Sequence, residues 1–174
     1  TVAVPAASLP AVEALVLEPV KIGWREGEAL ETVLAAAGRA GAVALGPGLG
    51  RDAEAHGLVR ALLERLELPV VVDADALFEL EPGVWRARAV LTPHAGELAR
   101  LLGREPGWVD AHRLEAAFAG AQRFGCVCLL KGADTIVAAP GQGALVCDLG
   151  PPSLATAGSG DVLTGILAAF LAKP

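Results

Sequence analysis

Short apolar runs alternate with longer amphipathic ones along most of the chain, and each run predicts an element. Residues 1–4 read as a strand. Residues 28–39 read as a helix, with Leu30, Val33, Leu34 and Ala37 on one face. Residues 42–45 form a short buried strand, followed by the loop Gly46-Pro47-Gly48-Leu49-Gly50. A second helix is predicted over 52–67, with Asp52 as its N-cap and a stripe of Leu58, Leu62, Leu63 and Leu66. Residues 69–73 (PVVVD) are a continuous apolar run of the kind buried inside a parallel sheet, and 89–92 are another. A short helix follows over 96–102, a longer one over 110–124, and a third buried strand over 126–130. Residues 135–138 and 144–147 flank Pro140-Gly141-Gln142-Gly143, which reads as a hairpin turn. The last helix, 160–171, is apolar nearly all round.

Strands alternating with helices imply an α/β layer structure with a mainly parallel sheet. In such sheets ligands bind outside the carboxyl ends of the strands. Weight therefore falls on the residues directly after each strand. The length of 174 residues suits a single domain, and the chain is read as one domain over 1–174. Met is absent and the last apolar helix ends at Pro174, so both ends look cut, with elements missing before and after.

Composition narrows the classes. The chain is 53% hydrophobic with a formal charge of −6, which excludes a disordered chain and argues against a nucleic-acid binder. Only three lysines occur (Lys21, Lys131, Lys173), and no basic cluster forms. No run of 18 uninterrupted apolar residues suggests a membrane span, and no signal peptide is visible. Cys126, Cys128 and Cys147 sit in apolar runs and read as small buried hydrophobes of a reducing compartment.

Five segments carry candidate chemistry. GPGLG (46–50) either lets backbone N–H groups approach a ligand or is a tight strand-to-helix turn; it is neither a P-loop nor a dinucleotide fingerprint. Asp73 and Asp75 either hold Mg²⁺ or a ribose, or cap the next helix. His94, after a proline at the mouth of the sheet, is either structural or catalytic, and Glu97 is either metal-linked or a first-turn helix acid. Lys131 is either a phosphate ligand or a solvated strand-end lysine. Gly158-Ser159-Gly160 opens onto the last helix, whose free N–H groups and dipole suit a phosphoryl group. Asp161, in the first turn, is either a base beside that group, able to take a proton from an attacking hydroxyl, or a helix-N-terminal carboxylate that the dipole favours.

The stretch 155–165 (ATAGSGDVLTG) resembles the anion-hole and catalytic-aspartate signature of the ribokinase-like superfamily. Taken in order with GPGLG, DADAL (73–77), LTPHAGELARLLG (91–103) and LLKGADT (129–135), it resembles the ADP-dependent NAD(P)H-hydrate dehydratase family over nearly the whole chain. Two departures are small. Ala95 stands where the family usually has Pro, and 157–161 read Ala-Gly-Ser-Gly-Asp instead of Gly-Gly-Thr-Gly-Asp. Members extend further at both ends, and in many bacteria an epimerase domain precedes.

The resemblance implies a ribokinase-like three-layer α/β/α fold with a central, mainly parallel sheet. It implies ADP-dependent dehydration of the (6S) hydrates of NADH and NADPH, releasing AMP and phosphate, with ATP as the eukaryotic donor. Asp161 would be the base and a hydrate contact, and Gly158, Ser159 and Gly160 the anion hole. Lys131, Gly132, Ala133, Asp134, Thr135 and Gly160 would contact the adenine nucleotide. Gly50 and His94 would contact the hydrate. Mg²⁺ would bridge phosphates, its protein ligands unassigned. A cytoplasmic enzyme is implied, with small-molecule partners only and a homo-oligomer, often a tetramer in relatives. The rival reading is a small-molecule kinase of the same superfamily, of hydroxyethylthiazole, hydroxymethylpyrimidine or pyridoxal type, which would share the base and anion hole.

Overall fold

The structure is a computed structural model that describes residues 1–173. It divides into two compact units, residues 1–40 and the remainder from Gly41 onward. In the first, β1 (Val2–Pro5) and β2 (Lys21–Trp24) pair in parallel, with Val2 opposite Lys21 and Pro5 opposite Trp24. Helix α1 (Leu9–Leu15), with Pro in its first turn, connects them, and α2 (Ala29–Ala37) follows. The strand at the start of the chain is as expected; α1 and β2 were not. Lys-Ile-Gly-Trp is too short and too mixed to announce a strand.

The second unit holds a six-stranded sheet in sequential order, β3 (Val43–Leu45), β4 (Pro69–Val72), β5 (Arg88–Leu91), β6 (Val127–Leu130), β7 (Thr135–Ala138) and β8 (Ala144–Cys147). The first four are parallel; β7 and β8 return as an antiparallel pair. Val70, Val71 and Val72 are fully buried, as a continuous apolar run in a parallel sheet requires. Helix α3 (Ala53–Arg65) buries the expected leucine stripe, and Asp52 caps it by accepting from Ala55 N at 2.8 Å. Helices α4 (Ala95–Leu102), α5 (Pro106–Ala111) and α6 (Arg113–Phe124) build a second core. There Leu98, Val109, Ala116, Ala117 and Ala121 meet Cys128, Leu130, Ile136 and Ala138.

Three expectations change. The helix predicted over 110–124 is two helices, because His112 leaves the helical region (φ −130°, ψ 43°). Its ring stacks on Trp108, with centroids 5.1 Å apart. Cys147 is exposed on β8, not buried; Cys126 and Cys128 are the shielded pair, and burial pushes both thiols up to about 12. The last helix, α7 (Ser159–Leu171), buries only Thr164 fully, and Val162, Ile166 and Phe170 remain exposed at i, i+4 spacing. An all-round apolar composition predicts a buried helix, but nothing among the described residues covers this stripe. No helix among the described residues is long and apolar enough to cross a membrane.

Candidate active site

The carboxyl ends of β3 to β6 form one edge, and the ladder runs past the strands themselves. Asp73 N donates to Leu45 O at 3.0 Å, Thr92 N to Val72 O at 3.1 Å and Lys131 N to Pro93 O at 2.8 Å. His94 and Lys131 face each other in a parallel bridge. Four of the five sequence segments thus lie side by side because their strands are neighbours in a parallel sheet.

The two aspartates of DADAL neither cap a helix through their side chains nor act together. Ala74 between them turns in the left-handed region (φ 50°), a costly conformation for a residue with a β-carbon. Asp73, 1% exposed, accepts from Lys131 Nζ at 2.7 Å and from Thr164 Oγ1 at 2.6 Å. Asp75 instead holds the GPGLG loop, accepting from Gly50 N at 3.1 Å and Arg51 Nε at 2.7 Å. Gly50 is thereby fixed from the end of β4.

Burial alone would raise the Asp73 carboxyl. The hydrogen bonds from Lys131 and Thr164 and the Lys131 charge outweigh it, so the group lies below the ordinary value of 3.8. A depressed carboxyl contributes stability that is present above its unfolded value and is lost as pH falls through its folded value. The stability difference between the protein and Asp73→Asn should therefore hold constant from pH 5 to neutrality, a window chosen on the order of one unit or more above the ordinary value. It should begin to shrink as pH approaches 3.8 and fall further below it. Urea titrations across that range check this; a gap that closes already near neutral pH would show that the carboxylate is not depressed.

His94 is the N-cap of α4. Its Nδ1 accepts from Gly96 N at 3.0 Å and Glu97 N at 3.3 Å, while Glu97 Oε2 accepts from His94 N at 2.8 Å, a reciprocal capping box. Glu97 is thus a buried first-turn helix acid. Because Nδ1 accepts, the ring proton belongs on Nε2, which lies 3.5 Å from Glu97 Oε1 on a side chain 57% exposed. His94 therefore caps α4 with Nδ1 and holds Nε2 beside Glu97 on an exposed side chain. His94→Ala should lose about 1 kcal/mol of stability, and His94→Asn, a better cap, should recover it. Urea denaturation reads both, and an unchanged stability in His94→Ala would remove the capping role.

The segment 131–135 is pinned by Arg113, at the start of α6. Its guanidinium pairs with the Asp134 carboxylate and donates to Asp134 O at 2.6 Å. It lies where a β-carbon on Gly132 would stand. Sequence reasoning gave no signal for Arg113, which is remote in the chain from the segment it holds.

At the start of α7, Gly158 is the N-cap in the left-handed region (φ 87°), where no side chain supplies a cap. Ser159 Oγ donates back to Thr156 O at 2.8 Å, tightening the turn. The N–H groups of Gly160 and Asp161 have no acceptor among the described residues. They point out of a helix N-terminus, which is the requirement for an anion site. Asp161 is exposed and has no hydrogen-bond partner among the described residues, so its carboxylate is free to act on a ligand. Thr164, one turn on, ties this end of α7 to Asp73, and its hydroxyl also reaches Gly160 O at 3.0 Å. A β-carbon on Gly160 would lie 3.5 Å from Lys131 Nζ. The turn, Lys131 and Asp73 therefore occupy one place. Thr164 was not singled out in the sequence, yet a lone hydroxyl on an otherwise apolar helix face is a readable signal.

No group of three or more His, Cys, Asp or Glu side chains among the described residues could hold a metal ion. Asp73, Asp75 and Glu97 are committed to protein partners.

The model of the NAD(P)H-hydrate dehydratase family matches residues 2–174. The bifunctional NAD(P)H-hydrate repair enzyme Nnr of Moorella thermoacetica is 44% identical over 146 residues, which are 81% of this chain and 28% of that protein. The chain thus spans under a third of the length of this curated relative. A crystal structure of ADP/ATP-dependent NAD(P)H-hydrate dehydratase from Bacillus subtilis, co-crystallised with ATP/Mg²⁺ and soaked with CoA, superposes with a TM-score of 0.78. It is 29% identical, covering 95% of this chain and 60% of that one. A ribokinase-like superfamily protein of Enterococcus faecalis, 23% identical with a TM-score of 0.72, shares the fold over 98% of this chain and 60% of its own. The ribokinase-like α/β fold with a mainly parallel sheet is therefore as expected from the sequence, and the chain belongs to the NAD(P)H-hydrate dehydratase family.

Proposed function

We propose that this chain carries out the ADP-dependent dehydration of the (6S) hydrates of NADH and NADPH, and that its two compact units belong to one ribokinase-like domain. The observation that carries the reading is the start of α7. There the Asp161 carboxylate and two N–H groups, all without hydrogen-bond partners among the described residues, share one turn, held at the carboxyl edge of the parallel strands by Thr164 and Asp73. Asp161 takes the proton of the hydroxyl introduced by hydration, as that oxygen attacks the β-phosphorus of ADP. The P–O bond to AMP breaks, and the developing charge is met by the turn Gly158, Ser159 and Gly160 and by the α7 dipole. Phosphate then leaves with the substrate oxygen and a ring proton is lost, which restores the dihydropyridine.

Lys131, Gly132, Ala133, Asp134, Thr135 and Gly160 make the nucleotide side, with Arg113 keeping the Asp134 carboxylate occupied so that the loop presents its backbone. Gly50 and His94, through the Nε2 edge of its exposed ring, make the hydrate side together with Asp161. Mg²⁺ comes with the phosphates as part of the nucleotide and neutralises charge on them. The reading includes a cytoplasmic enzyme acting on small molecules, assembled as a homo-oligomer such as a tetramer. It is supported by the family membership and by a related Bacillus subtilis dehydratase that was crystallised with ATP/Mg²⁺. Adding hydrated dinucleotide and Mg²⁺ with either ADP or ATP, and following reduced-nicotinamide absorbance, tests it. Recovery with ADP is expected; recovery with ATP alone would keep the reaction and overturn the donor, and recovery with neither would overturn the reading.

A further inference from the structure

Asp73 is the most deeply buried charged side chain among the described residues, 1% exposed. A lone carboxylate there would be costly, and pairing with well-placed donors is what makes it tolerable. Its two oxygens serve two different elements. Oδ1 takes Lys131 Nζ from the end of β6, and Oδ2 takes Thr164 Oγ1 from α7. Backbone bonds fix Asp73 itself to β3, through Leu45 O. Gly46 presses against the Asp73 carbonyl so closely that a β-carbon there would overlap it. The carboxylate is thus held on several sides, and among the described residues it is the group that hydrogen-bonds both to the lysine of the nucleotide segment and to the helix bearing the anion turn. Neither Lys131 nor Thr164 bonds directly to the other.

We propose that Asp73 is a positioning residue, which through Lys131 and Thr164 sets the spacing between the Lys131 ammonium and the phosphoryl-binding turn of α7. This rests on the nucleotide reading above. An ammonium has three protons and gives one to Asp73, leaving others for phosphoryl oxygens at the Gly160 side. Without the carboxylate the lysine stem is free to rotate, and α7 loses its anchor one turn after the anion turn. Both partners of the phosphoryl group would then be misplaced relative to each other, which affects turnover more than ground-state binding.

Asp73→Asn, Lys131→Met and the double variant of the full chain test this, with Mg·ADP affinity by calorimetry and the kcat/KM split of hydrate turnover as readouts. Each single variant is expected to weaken Mg·ADP binding about tenfold, and the double variant no more than Lys131→Met alone. In Asp73→Asn, kcat is expected to fall about 100-fold, because misplacement of the reacting groups costs rate. Thr164→Val should follow Asp73→Asn, and Thr164→Ser, which keeps the hydroxyl, should bind and turn over within about twofold of the protein itself. A purely structural Asp73 would lower the melting temperature while leaving kcat and Mg·ADP affinity per folded molecule unchanged, and that result overturns the proposal. So do losses that multiply in the double variant. If Asp73→Asn does not fold, the Thr164 pair decides by the same two readouts. If the unmutated chain binds Mg·ADP but restores no reduced nicotinamide, the dehydratase reading fails and the affinities alone judge Asp73. If it binds no Mg·ADP, the proposal is overturned as well.

Discussion

Replacing Asp161 by Asn is expected to reduce turnover about 1000-fold while leaving Mg·ADP affinity within about threefold, since a positioned general base contributes on that scale. The expectation follows from what surrounds the side chain. Asp161 is exposed and bonds to no described residue, so an amide of the same shape removes no structural contact. It lies in the first turn of α7, beside N–H groups that have no acceptor among the described residues. The N–H groups at the start of α7 are backbone, and the substitution leaves them in place. Only the capacity to accept a proton is lost, so the effect should fall on kcat and not on nucleotide binding. An Asp161→Asn protein with turnover within tenfold of the original would mean that another group takes the hydroxyl proton.

The second large effect is on stability. Gly46→Ala should destabilise the protein by about 3 kcal/mol or more, combining backbone strain with overpacking of a rigid contact. Gly46 has φ 129°, outside the conformations that a residue with a β-carbon adopts readily. A β-carbon there would overlap the carbonyl of Asp73 and stand 2.9 Å from the Ala76 side chain. Both neighbours are fixed, the first by the sheet edge and the second by the short turn Ala74–Leu77. Gly48 in the same loop supplies the internal comparison. It also has positive φ (69°), but a β-carbon there meets nothing within 4 Å. Gly48→Ala should therefore cost only the left-handed conformation, about 1–2 kcal/mol. Urea denaturation of the two variants separates them; equal losses would show that the Asp73 carbonyl does not crowd Gly46. Because Asp73 is the neighbour displaced, Gly46→Ala should also lower turnover in whatever fraction stays folded.

Much of this architecture was legible in the sequence where hydrophobic burial is continuous. PVVVD, the leucine stripe of α3 and the hairpin strands β7 and β8 carry their elements in plain periodicity, and the structure places them within a residue or so. Prediction failed where local pattern is weak or is overridden. The short strand Lys21–Trp24 has only four residues, one of them Gly. The break falls at His112, whose ring stacks on Trp108, an interaction that helical periodicity does not encode. For the site, the rule that ligands gather at strand carboxyl ends picked segments that the structure places side by side, because parallel neighbours align those ends. It could not pair individual side chains. That Asp73 would meet Lys131, 58 residues away, and Thr164, 91 residues away, depends on strand order and on where α7 lands. Likewise the split of DADAL, with Asp73 serving β6 and α7 and Asp75 serving the GPGLG loop, depends on the turn at Ala74.

The central claim is that the phosphoryl group leaves with the substrate oxygen and does not remain on the product. Incubating the chain with hydrated NADH, Mg²⁺ and ADP and resolving the products by phosphorus NMR tests this most directly. The account predicts inorganic phosphate and AMP in equal amounts, matched by restored NADH. A stable phosphate monoester of the substrate would contradict it and would mark the chain as a kinase built on the same turn.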